Sequence, residues 1–370
     1  MKVAVTGAMG FLGWHVCCRL RAVHGVEPLR IGRAELADQM LLHDALSRAD
    51  IVLHLAGVNR ADSDAEVEDG NVEIADRLAA AVCRLRHRMT IVNANSIQSG
   101  TDTAYGRGKR KAAAVLATVC KASRVRFVDV RLPNLFGEHG LPHYNSFVAT
   151  FAAEVAADRR PSVTNDREIP LLHVQDAAAA LIRAGEQTEL GELRPRGEPV
   201  LVSWVADTLA RLHDRYRTGE MAELSSRLTV NLFNTYRAFR FPDMFPVAPD
   251  LHADERGVLT EIVRAHGGTS QSFVSTTRAG QTRGDHYHLH KVERFFVLKG
   301  SARINLRRLL HDEVVSFHLS GDTPAYVDMP TLWVHNIENV GDDELVTVFW
   351  SDQLLDPTNP DQYPERVMQR

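Results

Sequence analysis

The chain has 370 residues, with 43 lysines and arginines against 47 aspartates and glutamates and a formal charge of −4. That length exceeds the reach of a typical single hydrophobic core and suits two domains. Near charge balance without an aromatic-laced basic patch speaks against a nucleic-acid partner, and no apolar run approaches the ~20 residues of a membrane span.

Cys17, Cys18, Cys83 and Cys120 show no CxxC spacing, so neither a disulfide framework nor a cysteine metal site is expected, and a reducing, cytoplasmic compartment fits. The opening KVAVTG reads as a buried strand and not as a signal peptide.

In chain order, Val3–Val5 is a short apolar strand, GAMGFLG a tight turn, and the segment to about His24 a helix. Further strands are expected at Glu27–Ile31, Ile51–Leu55, Met89–Ala94 and Val125–Val130, with helices at about Asn71–Arg86 and Tyr105–Ala122. Continuous apolar strands alternating with helices predict a Rossmann-type, doubly wound parallel sheet covered on both faces. Loops follow, then a helix over Ser146–Ala157, a small strand near Val163, and helices at Val174–Ala184, Ser203–Tyr216 and Ala222–Ala238. FPDMFPVAP breaks the helical pattern and places a domain boundary at 243/244. Beyond it, short strands are expected at Leu259–Arg264, Ser270–Thr276, Phe295–Leu298, Ala302–Leu306, Val314–Leu319, Ala325–Asp328 and Leu345–Trp350, an all-β barrel or sandwich.

GAMGFLG supplies Gly7, Gly10, Phe11, Leu12 and Gly13 between the first strand and the helix it opens. Gly7 permits the turn, Gly10 lets backbone approach a pyrophosphate, and Gly13 lets the helix pack on the sheet. After the second strand, where an acidic residue would grip an adenine ribose, Arg33 follows Gly32, with Arg30 just before. A guanidinium there suits a 2′-phosphate, so NADP(H) is expected over NAD(H); a surface arginine beyond a strand would look the same. Leu55, Ala56 and Gly57 end the third strand with the small residues that close backbone approach to a cofactor requires.

Tyr105 and Lys109 lie four apart at a helix start, and Ser96 lies just past the fourth strand, whose C-terminal end borders the ligand crevice. A tyrosine beside a fixed ammonium and a nicotinamide ribose can have its phenolic pKa lowered and exchange a proton with a sugar oxygen, with Ser96 holding that oxygen and Lys109 bonding the cofactor ribose and stabilising the phenolate. The bland reading is a tyrosine packed on the sheet with its lysine in solvent. Asn71 either orients this network or caps its helix. Asn134, His139, His143 and Asn145 fall in loops at the expected crevice, and Arg167 and His173 follow in REIPLLHVQD. Of these, Asn134, Asn145 and Arg167 are the candidate substrate contacts, Arg167 as a clamp for a diphosphate.

GQTRGDHYHLHKVERFFVLKG at 280–300 sets His286 and His288 two apart and Glu293 five further on, and His335 follows in PTLWVHNIEN. Alternation along a strand turns His286 and His288 to one side. With Glu293 and His335 they make an N3O metal site inside a small barrel; as a lone pair, the histidines would equally be solvent-facing. His290 competes as a ligand.

TGAMGFLG, LAG at 55–57, Ser96 and YGRGK at 105–109 resemble the extended short-chain dehydrogenase/reductases, with Gly108 departing from the common YGxSK form. That resemblance implies a nucleotide-sugar reductase or epimerase; the acidic pair of the dehydratases is missing after Ser96-Ile97-Gln98. The glycine-bracketed histidine spacing, with Pro330, His335 and Asn339, resembles the cupin double motif, with Leu332 in place of a usual glycine. It implies that His286, His288, Glu293 and His335 bind a divalent metal, zinc by family habit. Together with LAGVNR, HYNSF, SGDTPAYVDMP and DPTNPDQY, the whole chain resembles a family of bifunctional capsular-polysaccharide enzymes. The resemblance implies a reductase domain over 1–243 and a metal-binding cupin domain over 244–370. It further implies C3 epimerisation of a UDP-4-keto-6-deoxy-HexNAc in the cupin; His290, Lys291 and Tyr326 are the barrel residues that read as proton carriers for it, each equally a surface group. NADPH-dependent reduction at C4 would follow, in a homodimer, toward an N-acetyl-L-fucosamine-type sugar. Open alternatives are a reductase whose metal domain is structural, dimerising or sugar-binding, and a 4-epimerase that retains its nicotinamide.

Overall fold

The computed structural model describes residues 1–85, 87–187 and 191–368. Its backbone divides into two compact units, one of Met1–Phe136 with Arg167–Val200, the other of Gly137–Asp166 with Leu201–Arg370.

The first unit is built on a six-stranded sheet in the order Leu29–Ile31, Val3–Thr6, Ile51–His54, Thr90–Ser96, Arg126–Leu132, Glu192–Leu193, parallel at every pairing. Val3–Thr6 and Ile51–His54 are buried along their whole length, as strands covered on both faces must be. Helices Asp64–Val82 and Ala104–Ser123 pack against each other, and their apolar residues join one core with Val52, Ile91 and Val125. Asn71 does not cap its helix. That helix starts earlier, at Asp64, because the Ser63 side chain accepts from Glu66 N; its expected end at Arg86 lies outside the described residues. Two helices missing from the sequence expectation, Arg33–Ala37 and Gln39–Ser47, fill the second crossover. No strand forms near Val163; Glu168–His173 pairs instead with Asn134–Phe136 in a separate three-stranded sheet.

The second unit contains the helices Phe147–Ala156, Val202–Tyr216 and Arg227–Arg237 together with all the strands after residue 250. The last of those helices begins at Arg227 and not at Ala222, where the Ser226 side chain accepts from Thr229 N. The strands form two antiparallel sheets. Four run in the order Gln271–Thr277, Leu345–Ser351, Glu293–Lys299, Tyr326–Met329. Five run in the order Val314–Ser320, Ser301–Arg308, Trp333–Asn339, Thr282–Tyr287, Tyr363–Pro364. Phe295, Val297, Ile304, Leu306, Val327, Met329 and Ile337 make the core of this unit. Among the described residues no ladder joins the sheets into a closed barrel, so the expected barrel is a two-sheet sandwich. Leu251–Asp254 and Gly257–Thr260 form a separate, exposed ribbon.

Candidate active site and candidate metal centre

In the first unit, Gly7 turns with φ 67, and its N–H donates to the Ile31 carbonyl at 3.1 Å. A Cβ at Gly13 would overlap the Gly7 carbonyl, so only glycine lets the helix come this close to the turn. Helix Phe11–His24 starts at Gly10 with no side-chain cap, which leaves its first N–H groups to an anion. These features fit a nicotinamide dinucleotide. Thr6, unremarked in the sequence, ties the strand ends together: its hydroxyl lies 2.8 Å from His54 Nδ1 and accepts from Leu55 N and Ala56 N. Arg33 is exposed at the start of its helix, while the Glu35 carboxylate accepts from Gly32 N at 2.8 Å.

Ser96 ends the fourth strand, and its Oγ accepts from Gln98 N. Tyr105 lies in the first turn of Ala104–Ser123, close enough to Ser96 for the serine hydroxyl to act on its ionisation. Burial pushes the Tyr105 hydroxyl above its ordinary pKa and the nearby Ser96 hydroxyl only partly offsets this, so the chain alone does not supply the expected lowering. Lys109 is buried and donates to the Ala94 carbonyl at 2.7 Å. Desolvation lowers its pKa to about 8, against the opposing pull of Asp129. Gly57 stands beside this ammonium: a Cβ there would lie 3.7 Å from Lys109 Nζ and 3.0 Å from Asn71 Oδ1. Asn71 pins that loop, accepting from Val58 N at 3.2 Å and donating to Val58 O at 2.7 Å. His54, another residue the sequence did not single out, is held neutral by burial and by Lys109, its pKa near 3. At Gly108 a Cβ would meet the Glu68 backbone at 3.0 Å, so the departure from the common motif lets the two helices close. The neighbouring basic run is a helix face, with Arg107 and Lys111 both paired to Glu68.

The candidate substrate contacts belong to both units. Asn134 is half-buried in the first unit, Arg167 is exposed there just before Glu168–His173, and Asn145 is exposed in the second unit.

In the second unit, His286 sits directly opposite His335 on adjacent antiparallel strands of the five-stranded sheet, so the two face one side. A bulge at Asp285, with φ 59, turns His286 into that register. His288 lies past the end of its strand, so strand alternation does not aim it. Glu293 comes from the other sheet. Nitrogen and oxygen ligand atoms of the four residues lie within 4.8 Å of one another. His288 Nε2 is 2.9 Å from Glu293 Oε2. His335 Nε2 is buried, lies 3.7 Å from the same oxygen, and has no hydrogen-bond partner among the described residues. Burial, aided by the two other histidines, lowers His286 to about 3; burial also lowers His335. Burial alone would raise Glu293, but His288 and His335 outweigh it and hold the carboxyl well below its usual range. Two neutral imidazoles, an ionised carboxylate and an orphaned nitrogen fit a divalent cation of the zinc class.

Of the cluster, His286 and Glu293 border a cavity of about 330 Å³ whose wall also includes Lys291, Arg283, Phe295 and Phe349. Lys291 is buried with Nζ 3.9 Å from Glu293 Oε1. Neither His290 nor Tyr326 lines this cavity. His290 meets Arg227, and Tyr326 packs its ring 3.6 Å beneath the Arg294 guanidinium. Leu332 takes the left-handed conformation of the missing glycine, with φ 64, its side chain fully buried and its N–H on the His288 carbonyl at 2.8 Å. Asn339 holds a turn, donating to Thr277 O and Asp343 O.

Comparisons agree with this two-part build. Residues 3–194 match the model of the NAD dependent epimerase/dehydratase family, and 252–363 that of the polysaccharide biosynthesis C-terminal domain. The chain is 32% identical over 367 residues to a UDP-2-acetamido-2,6-beta-L-arabino-hexul-4-ose reductase of Pseudomonas aeruginosa, covering 98% of each. A crystal structure of the capsular polysaccharide assembling protein CapF from Staphylococcus aureus superposes with TM-score 0.64 at 30% identity, over 99% of this chain and 100% of that one. CapF with the inhibitor 3-isopropenyl-tropolone gives TM-score 0.59 at 28% identity, with the same coverage. The chain is therefore an enzyme of the NAD dependent epimerase/dehydratase family, in its CapF-like branch that ends in the polysaccharide biosynthesis C-terminal domain.

Proposed function

We propose that this enzyme reduces the C4 ketone of a UDP-4-keto-6-deoxy-HexNAc with NADPH. The observation that carries the reading is Lys109, buried on the helix that also carries Tyr105, with its ammonium donating to Ala94 O in the fourth strand that Ser96 ends. Its support from outside is the full-length likeness to a relative named as a hexul-4-ose reductase. A bound nicotinamide supplies the hydride to C4. Ser96 holds the ketone oxygen, and Tyr105 gives its proton to the alkoxide that forms, a step suited to a phenol that retains its proton. The Lys109 ammonium stabilises the phenolate left behind. Of the candidate substrate contacts in the first unit, Arg167 clamps the diphosphate and Asn134 meets the sugar.

A second reading adds C3 epimerisation in the second unit, where His286, His288, Glu293 and His335 hold a divalent cation. It is favoured by the placement of His286 and Glu293 of that cluster and of buried Lys291 on the wall of one cavity. A cation bound there supplies Lewis acidity toward the ketone; Lys291 stands where a proton could be carried to or from C3, which is acidic because it adjoins the carbonyl. If this reading fails, the cluster has a structural or sugar-binding role and reduction stands alone. The domain assignment proposed is 1–243 for reduction and 244–370 for the cation. The free thiols and mild charge agree with a cytoplasmic setting.

Incubation with the 4-keto sugar in deuterated water, with and without NADPH, separates the readings. Substrate-dependent NADPH oxidation supports reduction, and its absence overturns it. Deuterium at C3 that survives Tyr105→Phe but not His288→Ala supports epimerisation; no deuterium in the wild type rejects it.

A further inference from the structure

After its last long strand the chain returns to the cation cluster through Asp361, which is buried and left-handed with φ 45. Three backbone N–H groups of the His288–Lys291 turn end on its carboxylate: Leu289 N on Oδ1 at 3.0 Å, and His290 N and Lys291 N on Oδ2 at 2.9 and 2.8 Å. The backbone carbonyl of the same residue faces His288 Nδ1 at 2.6 Å. A carbonyl only accepts, so Nδ1 carries the hydrogen, and Nε2 is the one ring nitrogen left for a cation. Tyr363 and Pro364 then pair with Tyr287 and His286, Glu365 N donates to Asp285 O at 2.9 Å, and Arg307 holds Glu365 at 2.7 Å. The segment is thus laid along the strand that carries His286.

We propose that Asp361 is a positioning residue of the cation site. It organises the turn bearing His288 and commits that imidazole to present Nε2, which makes the C-terminal segment part of the site although all four ligands lie upstream. This rests on the reading that the cluster holds a divalent cation. It gives a role to a residue far from the histidine motif, and it accounts for the aim of His288, which strand alternation does not set.

The test is titration of the metal-free, full-length enzyme with Co²⁺, following the visible absorption of tetrahedral cobalt, with Zn²⁺ affinity read by chelator competition and melting of the metal-free forms measured alongside. The wild type should bind one ion per chain. Asp361→Ala should bind about 10–100-fold more weakly with an altered spectrum, as loss of a group that orients a ligand does. Asp361→Asn keeps one acceptor oxygen and tolerates the left-handed backbone, so its loss should be smaller, about threefold to tenfold. Wild-type affinity and spectrum in Asp361→Ala, even with lowered melting, would make the residue a stabiliser only and overturn the proposal. Should the alanine variant not fold, Asp361→Asn decides alone: equality with the wild type overturns it. A wild type that binds neither ion defeats the cation reading itself, a different failure.

Discussion

The Lys109 ammonium and the Ala94 carbonyl are bound at 2.7 Å inside the first unit, out of reach of bulk water. Desolvation brings that lysine down to about 8. Below this value the ammonium is present and supports the Tyr105 phenolate; above it the proton and the support are lost. Reduction should therefore hold through neutral pH and fall as pH rises past about 8. Lys109→Met should be slow at every pH, with no alkaline limb at that value. Initial rates of NADPH oxidation between pH 6 and 10 check both.

Tyr105→Phe removes the proton that the alkoxide needs while keeping the ring. Reduction should fall by roughly 10²–10⁴-fold. Cofactor affinity, measured by fluorescence titration, should stay near the wild-type value. A variant within a factor of a few of wild-type rate would remove Tyr105 from the chemistry.

Arg33 is exposed at the end of the second strand, with Glu35 engaged on Gly32 N beside it. If its guanidinium meets the 2′-phosphate, Arg33→Ala should raise KM for NADPH by about tenfold and leave NADH use unchanged, the loss of one charge-assisted contact. Equal effects on both cofactors would place the specificity elsewhere.

His335 Nε2 is the orphaned buried nitrogen of the cluster. Stripping the enzyme with a chelator should lower its melting temperature, because an ion that binds only the folded state stabilises it by mass action. At an ion concentration 100 times Kd the loss is about 2.7 kcal/mol. His335→Ala should abolish this dependence on added Zn²⁺, read by calorimetry with and without the ion.

Asp352 is buried with Oδ1 accepting from Val292 N at 2.9 Å, yet desolvation raises its carboxyl to about 6. Its folded pKa exceeds the unfolded value of about 3.9, so ionising it costs stability as pH rises from about 4 to 6. Asp352→Asn keeps an acceptor without the charge. It should add on the order of 2 kcal/mol at pH 7, and the gain should vanish near pH 4. Urea unfolding at the two pH values measures the difference.

Much of this enzyme was legible in its sequence because the signals are local. Continuous apolar strands, GAMGFLG and the Ser96, Tyr105 and Lys109 spacing each depend on a few neighbouring residues, and the parallel sheet follows from them. The strand near Val163 was misplaced because Glu168–His173 is only half-buried and pairs with a segment beyond a long loop. Asn71 reads as a cap because asparagine favours that position, whereas it is buried in mid-helix and engages the Val58 backbone.

By itself the sequence determined the two-part organisation, the strand–turn–helix at Gly7 to Gly13, and the candidates at 286, 288, 293 and 335, since motif spacing and periodicity are properties of short stretches. Tertiary structure alone decided that the β-rich unit is a two-sheet sandwich and that Lys291, not His290 or Tyr326, borders the cavity. It also decided which nitrogen of His288 faces the cluster, through a carbonyl 73 residues away in sequence that occupies the other. Hydrogen-bond partners at that separation are chosen by packing, and no local pattern encodes them.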